Sequence, residues 1–271
     1  MLSVVLLMLA GGIGLMQAVS DPRQVTGRWL WLGGIIATCL VAIAVTADLV
    51  RSKDPLSGAL VVVAVPFVVQ ALAAARARAG LQRWASVIGY FAACATIVLL
   101  LWGSWNAWPL AESAPGPLPM AMLVLTVALA SGVGGGLLMA MLLGHAYLTA
   151  GGTMTQAPFL RLVVVLGVLL ALRGAAALSL GLVPWLGRAP EAAIGSQVFG
   201  GGSPAMWNTL LVTVRIVVGL LVPSVFLYMT YDCVRRRANQ SATGILYVAS
   251  VLALLGEGTA LALYQTTGCL F

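Results

Sequence analysis

Eight long runs of apolar residues divide this chain, and the short gaps between them hold most of its charged residues. A run of ~20 apolar residues, rising ~1.5 Å per residue, matches a hydrocarbon core ~30 Å thick. The runs lie at about residues 2–20, 28–50, 56–75, 84–105, 119–148, 159–186, 206–232 and 242–266. Each is expected to be helical, because lipid offers the backbone no partner outside the helix. The pattern predicts an all-α integral membrane protein with eight transmembrane helices.

Composition agrees with that expectation. Hydrophobic residues make up 61% of the 271 residues, charged residues only 8%, and the mean hydropathy is +1.06. A soluble domain of this size would lack the polar residues to cover itself. No polar stretch is long enough for a soluble domain, so residues 1–271 read as a single polytopic membrane domain. The first run lacks the basic start of a signal peptide and carries Gly11, Gly12 and Gly14 at its middle, so it reads as a retained span. The cysteines Cys39, Cys94, Cys233 and Cys269 are scattered without a CxxC pair, which argues against a disulfide framework or a thiolate metal site.

The distribution of charge sets an orientation. Net charge is +7, yet the basic residues flank the spans, where positive-inside sorting places them, so nucleic acid is not the expected partner. Connectors after odd-numbered spans hold Arg23, Arg28, Arg76, Arg78, Arg83, Arg161, Arg235, Arg236 and Arg237. Those after even-numbered spans hold only Arg51, Lys53 and Arg188. This asymmetry puts the odd connectors in the cytoplasm and both termini outside. The long connectors 106–118 and 187–205 are then external and nearly uncharged, with Trp102, Trp105, Trp108, Trp185 and Trp207 as an interfacial belt.

A duplication is visible along the chain. Val65-Pro66, Arg78 and Tyr90 recur as Val222-Pro223, Arg235 and Tyr247, each 157 residues on. The Gly-rich stretch 11–16 is echoed at 132–139. Together they predict two parallel four-helix repeats, residues 1–110 and 119–271, related by an axis along the membrane normal. Small-residue faces in the first and fifth spans would let those helices pack closely.

Few residues can carry chemistry. His145, the only histidine, stands in Gly144-His145-Ala146-Tyr147 at the inner end of the fifth span. One histidine cannot build a bis-histidine haem, so no covalent or metal cofactor is expected in this chain. Imidazole can exchange protons at neutral pH, which makes His145, with Tyr147, a candidate for contacting a head group; a structural hydrogen bond is the simpler role. Arg173, Arg215 and Glu257 lie within spans, where a charge costs at least ~2.5–3.5 kcal/mol and requires a partner. Helical rise puts Arg215 and Glu257 at similar depth, roughly 12–15 Å below the outer surface. They are expected to pair, with Arg173 slightly deeper and sharing the carboxylate. The group is either a clamp fixing helix register or a polar step for protons or a ligand. Asp48 and Asp232, near Arg51 and Arg235–Arg237, read as solvated end charges. In Gln240-Ser241-Ala242-Thr243, Ser241 or Thr243 is placed to cap the eighth span.

The closing stretch Gly256-Glu257-Gly258, Tyr264 and Thr267-Gly268, with Arg215 opening the preceding span, resembles the end of the membrane anchors of the polysulfide and dimethyl sulfoxide reductase family. The resemblance covers about sixty residues, and the N-terminal half shows no counterpart of the family's quinone-site residues. It implies a haem-free, quinone-interacting anchor in the bacterial inner (cytoplasmic) membrane. Its partners would be the lipid bilayer and other membrane or extracytoplasmic subunits carrying iron–sulfur or cytochrome cofactors. Two alternatives stay open: a small secondary transporter with a buried Arg/Glu site, and a ligand-free scaffold or assembly factor. Catalysis by this chain alone is not expected, since no nucleophile–base or metal-ligand set is present.

Overall fold

The computed structural model describes residues 2–51, 56–105, 118–150, 155–182, 204–267 and 271. These form helices and turns, with no strand among the described residues. The first half comprises α1 (Leu2–Val19), α2 (Gly27–Arg51), α3 (Leu56–Ala75) and α4 (Ala79–Trp105). The second comprises α5 (Leu118–Ala150), α6 (Ala157–Leu182), α7 (204–235) and α8 (Asn239–Thr267). Among the described residues, seven helices are long and apolar enough to cross a membrane; in α3 the described apolar stretch is the shorter Val62–Ala75. The connectors expected to be external lie largely outside the described residues, as do Trp108, Trp185, Lys53, Arg188 and the side chains of Trp105 and Asp48.

Apolar side chains cover the outside of the bundle as well as filling its core. Ile43, Val62, Phe91, Leu99, Val168 and Leu255 are all exposed, whereas Gln17, Arg173, Arg215 and Glu257 are buried. In water such an apolar surface would drive association; facing lipid tails it costs nothing. The buried polar groups have the opposite requirement and find partners inside the protein.

Both halves close in the same way. In the first, α1 packs on α2 and α4 while α3 touches both of those; in the second, α5 packs on α6 and α8 while α7 touches both of those. The rings meet where α1 crosses α5, through Gly12 and Gly135. A Cβ added at Gly12 would lie 1.9 Å from the Ser131 carbonyl oxygen, and one at Gly135 2.2 Å from that of Leu9. Here the small-residue face lets backbone touch backbone. Side-chain hydrogen bonds then tie neighbouring helices across the seam. Trp29 Nε1 donates to Met139 O (3.2 Å), Tyr90 Oη to Ala128 O (3.1 Å) and Tyr264 Oη to Leu101 O (3.1 Å).

The two halves also share one turn. After α3, Ala77 N–H donates to Ala74 O and Arg78 N–H to Ala73 O; after α7, Arg237 N–H donates to Val234 O and Ala238 N–H to Cys233 O. Both are Schellman caps with a left-handed residue, Ala77 (φ 53°) and Arg237 (φ 61°). Ala77 therefore answers to Arg237, 160 residues on, and the offset of 157 expected from the proline, arginine and tyrosine matches is not the register of the fold. The prolines differ accordingly. Pro66 sits inside a continuous α-helix, while Pro223 follows a π-helical segment, Val214–Leu221. Without an N–H, Pro223 cannot donate to the Gly219 carbonyl, and the widened turns before it accommodate that loss.

A left-handed conformation costs a residue with a Cβ about 1–2 kcal/mol. Ala77→Gly is expected to stabilise the protein by about 0.5–1 kcal/mol after the added chain entropy is allowed for. Thermal unfolding in detergent should show a raised midpoint; a fall would mean that the turn does not hold this geometry.

Candidate functional site

Three helices deliver one charged group each to the same buried point. Arg173 comes from α6, four residues before its π-helical end Ala177–Leu182; Arg215 comes from the π segment of α7; Glu257 comes from the C-terminal half of α8. All three are buried, Arg215 completely. Arg173 binds the carboxylate in a fork, Nε to Oε1 at 3.2 Å and Nη2 to Oε2 at 2.9 Å. Its Nη2 also donates to the backbone oxygen of Phe271, whose ring lies against Gly181. Arg215 Nη2 stands 3.1 Å from Glu257 Oε1, within ion-pair range. Its alignment does not make a hydrogen bond, and no nitrogen of that guanidinium makes one among the described residues.

Local sequence explains how these charges meet. Gly219 and Gly256 face each other where α7 crosses α8; a Cβ on either would fall 2.3–2.5 Å from the other's Cα. The same two glycines leave room for Arg215, whose Nη1 would lie 3.2–3.3 Å from such Cβ atoms. Gly256 of the closing motif thus has a steric reason. Gly258 has none, since a Cβ there would meet nothing within 4 Å. In the low dielectric of the interior, a forked Arg–carboxylate pair resists separation strongly.

The expected pairing of Arg215 with Glu257, and the sharing of the carboxylate by Arg173, are both present in the structure. His145 and Tyr147 stand apart from this cluster. Gly144 packs on Thr243 and Phe159, each about 14 residues and ~21 Å of helix from Glu257 and Arg173 respectively. His145 is exposed there. Tyr147 stacks on Phe159, with ring centroids 5.3 Å apart, and donates its hydroxyl to Thr155 O, so it fastens the start of α6 to α5. Thr243 does not cap α8 as its position had predicted: its hydroxyl donates back to Asn239 O at 2.7 Å. It does lie against Gly144. Asp232 pairs with Arg236 at 2.9 Å on the exposed end of α7, where such a pair contributes little.

A second polar centre went unnoticed in the sequence. Gln17, Gln70 and Gln82, all buried, converge in the first half. Gln17 Nε2 donates to Leu30 O at 2.9 Å, and its Oε1 accepts from Gln70 and from Gln82, the latter at 3.2 Å. Gln82 Nε2 also reaches Ser86 Oγ at 3.1 Å. Gly33 makes room, since a Cβ there would overlap the Gln17 amide. The signal was available: three glutamines in or beside apolar runs, uncharged and therefore overlooked beside the arginines. With these contacts the centre ties α1, α2, α3 and α4 together and serves the first ring as a polar clasp.

Comparison with known proteins found no matching family model, no similar curated protein and no similar solved structure. The class defined by fold and site is therefore an all-helical bundle with membrane-crossing helices and a buried Arg–Glu–Arg cluster.

Proposed function

We propose that this chain is a haem-free integral membrane subunit of a bacterial respiratory or electron-transfer complex. It spans the inner membrane eight times, α3 included, with both termini outside. It anchors extracytoplasmic partners that carry the redox cofactors and offers a quinone a place between its helices. One observation carries the reading: Glu257, at the centre of the motif that resembles the reductase anchors, is held by two arginines inside an apolar bundle. Ionisable groups at that depth are costly and ordinarily mark ligand or proton pathways. When the pair opens, the Glu257 carboxylate can accept a proton from a quinol whose electrons pass to the partner subunit's redox cofactors, and the guanidiniums then favour release of that proton, restoring the carboxylate.

A transporter reading draws on a different observation. Two rings of like connectivity meet at α1 and α5, and the cluster lies within the second ring beside that seam. Rocking of one ring against the other would be the transport step.

Purification from native membranes in mild detergent distinguishes the two. The lead reading expects a stable assembly with an iron–sulfur or cytochrome subunit and co-extracted quinone. A lone chain that binds a polar solute with pH-dependent affinity would favour transport. Within an assembled complex, Glu257→Gln should lower quinone turnover at least tenfold when activity is normalised to intact complex. Unchanged turnover would remove Glu257 from any proton path.

A further inference from the structure

We infer that the groove between α6 and α7 binds an anionic phospholipid, with one acyl chain lying along it and the phosphate held by Arg161 and Arg235. This goes beyond the proposed function and does not depend on it. The groove has a volume of about 300 Å³, walled on α6 by Val163, Gly167 and Leu170 and on α7 by Ser224, Leu227 and Tyr231. These walls run along about two turns of each helix, roughly 10 Å.

The interior of the groove suits a hydrocarbon chain. Ser224 turns its hydroxyl back to Leu220 O at 2.7 Å, so that wall offers no hydroxyl proton to a polar ligand. Gly167 leaves the α6 wall open. A Cβ there would meet only a Leu227 methyl carbon at 3.9 Å, so no close helix approach requires the glycine, unlike Gly219 and Gly256. Methylenes packed into this space gain dispersion contacts that a smooth helix face would not give.

Charge at one end selects the head group. Consecutive membrane-crossing helices run antiparallel, so the start of α6 lies beside the end of α7. Arg161 precedes Val163 by two residues, and Arg235 follows Tyr231 by four, which puts both past the same end of the groove. The Arg235 guanidinium carbon sits 5.7 Å from the centroid of the Tyr231 ring, a cation–π contact that holds it at the groove mouth. Both arginines are exposed, and neither has an acidic partner among the described residues. The neighbouring carboxylate, Asp232, is engaged by Arg236. Basic sites between spans at the membrane surface attract anionic head groups, and guanidinium forks match phosphate oxygens. An apolar partner helix could fill the groove but would answer neither charge.

The test uses the full chain purified in mild detergent with any subunits that remain bound. Native mass spectrometry counts retained lipid, and thermal unfolding is followed in micelles doped with phosphatidylglycerol or phosphatidylcholine at equal mole fraction. The expected result is one retained phosphatidylglycerol and a saturable rise in midpoint that phosphatidylcholine and inorganic phosphate do not produce. The double variant Arg161→Gln, Arg235→Gln should weaken the preference for phosphatidylglycerol by on the order of tenfold. Arg76→Gln with Arg78→Gln removes the same charge from the turn after α3 and should leave the preference intact. Gly167→Phe, which fills the groove at a position open to a side chain, should abolish retention while the midpoint in phosphatidylcholine stays that of wild type. Equal retention of the two lipids, or an R161Q/R235Q protein with the wild-type preference, would overturn the proposal. So would phosphatidylglycerol binding that appears only after bound subunits are stripped, since the groove would then belong to a partner helix.

Discussion

Gly12→Ala and Gly135→Ala are each expected to destabilise the protein by at least about 3 kcal/mol, and leucine at either position should prevent the two rings from assembling. Extra methylenes in a packed core ordinarily cost about 1–3 kcal/mol because neighbouring side chains can shift. Here the added carbon meets carbonyl oxygens at 1.9 Å and 2.2 Å, and a backbone inside a helix cannot turn aside. Relief requires α1 and α5 to move apart, which also strains the Trp29–Met139 and Tyr90–Ala128 hydrogen bonds. Gly134→Ala is the matched control. Its nearest neighbour would be a Leu9 methyl at 3.7 Å, and alanine favours helix over glycine by up to ~1 kcal/mol. Thermal midpoints and gel-filtration profiles in detergent compare the three. G12A and G134A proteins of equal stability would show that the rings do not meet here.

The second large effect concerns the charge cluster. Glu257→Leu should cost about 3–5 kcal/mol, because it leaves two guanidiniums buried without their carboxylate. The triple variant Arg173→Met, Arg215→Met, Glu257→Leu should recover most of that loss, since a packed apolar group replaces an ion cluster at little cost or with a gain. Recovery of stability without recovery of the proposed quinone turnover would separate a functional role from the structural one. A triple variant as unstable as the single one would mean that packing, rather than charge compensation, makes Glu257 necessary. Denaturant or thermal unfolding of the purified chain reads both.

Much of the cluster was legible because charge is scarce. In a chain with 8% charged residues, once those beside the spans are assigned to orientation, Arg173, Arg215 and Glu257 remain. Helical rise alone then puts Arg215 and Glu257 at one depth. The glutamine centre was less visible for the converse reason. Gln17, Gln70 and Gln82 carry no charge, so hydropathy tolerates them, and only the packing of α1, α3 and α4 shows them meeting. His145 stood out in the sequence as the single histidine, yet rarity did not place it near the cluster. It is exposed about 20 Å away by helical rise.

The repeat shows how a sequence match can mislead by one helical turn. Proline, arginine and tyrosine recur at 157, but the hydrogen bonds of the two Schellman turns recur at 160. Among apolar helices many registers score alike, because lipid-facing positions accept any aliphatic residue. A turn has one register, because each donor must find its own carbonyl.

The sequence by itself determined the helices, their approximate ends and the three charges that could not face lipid, since these follow from the thickness of a bilayer and the cost of burying charge. Only the tertiary structure decided the ring-like closure of each half, the glycine crossing of α1 and α5, and the meeting of Gln17, Gln70 and Gln82. Those features depend on which helices touch and at what rotation. Hydropathy carries neither, because a helix apolar on every side gives no indication of the face it will bury.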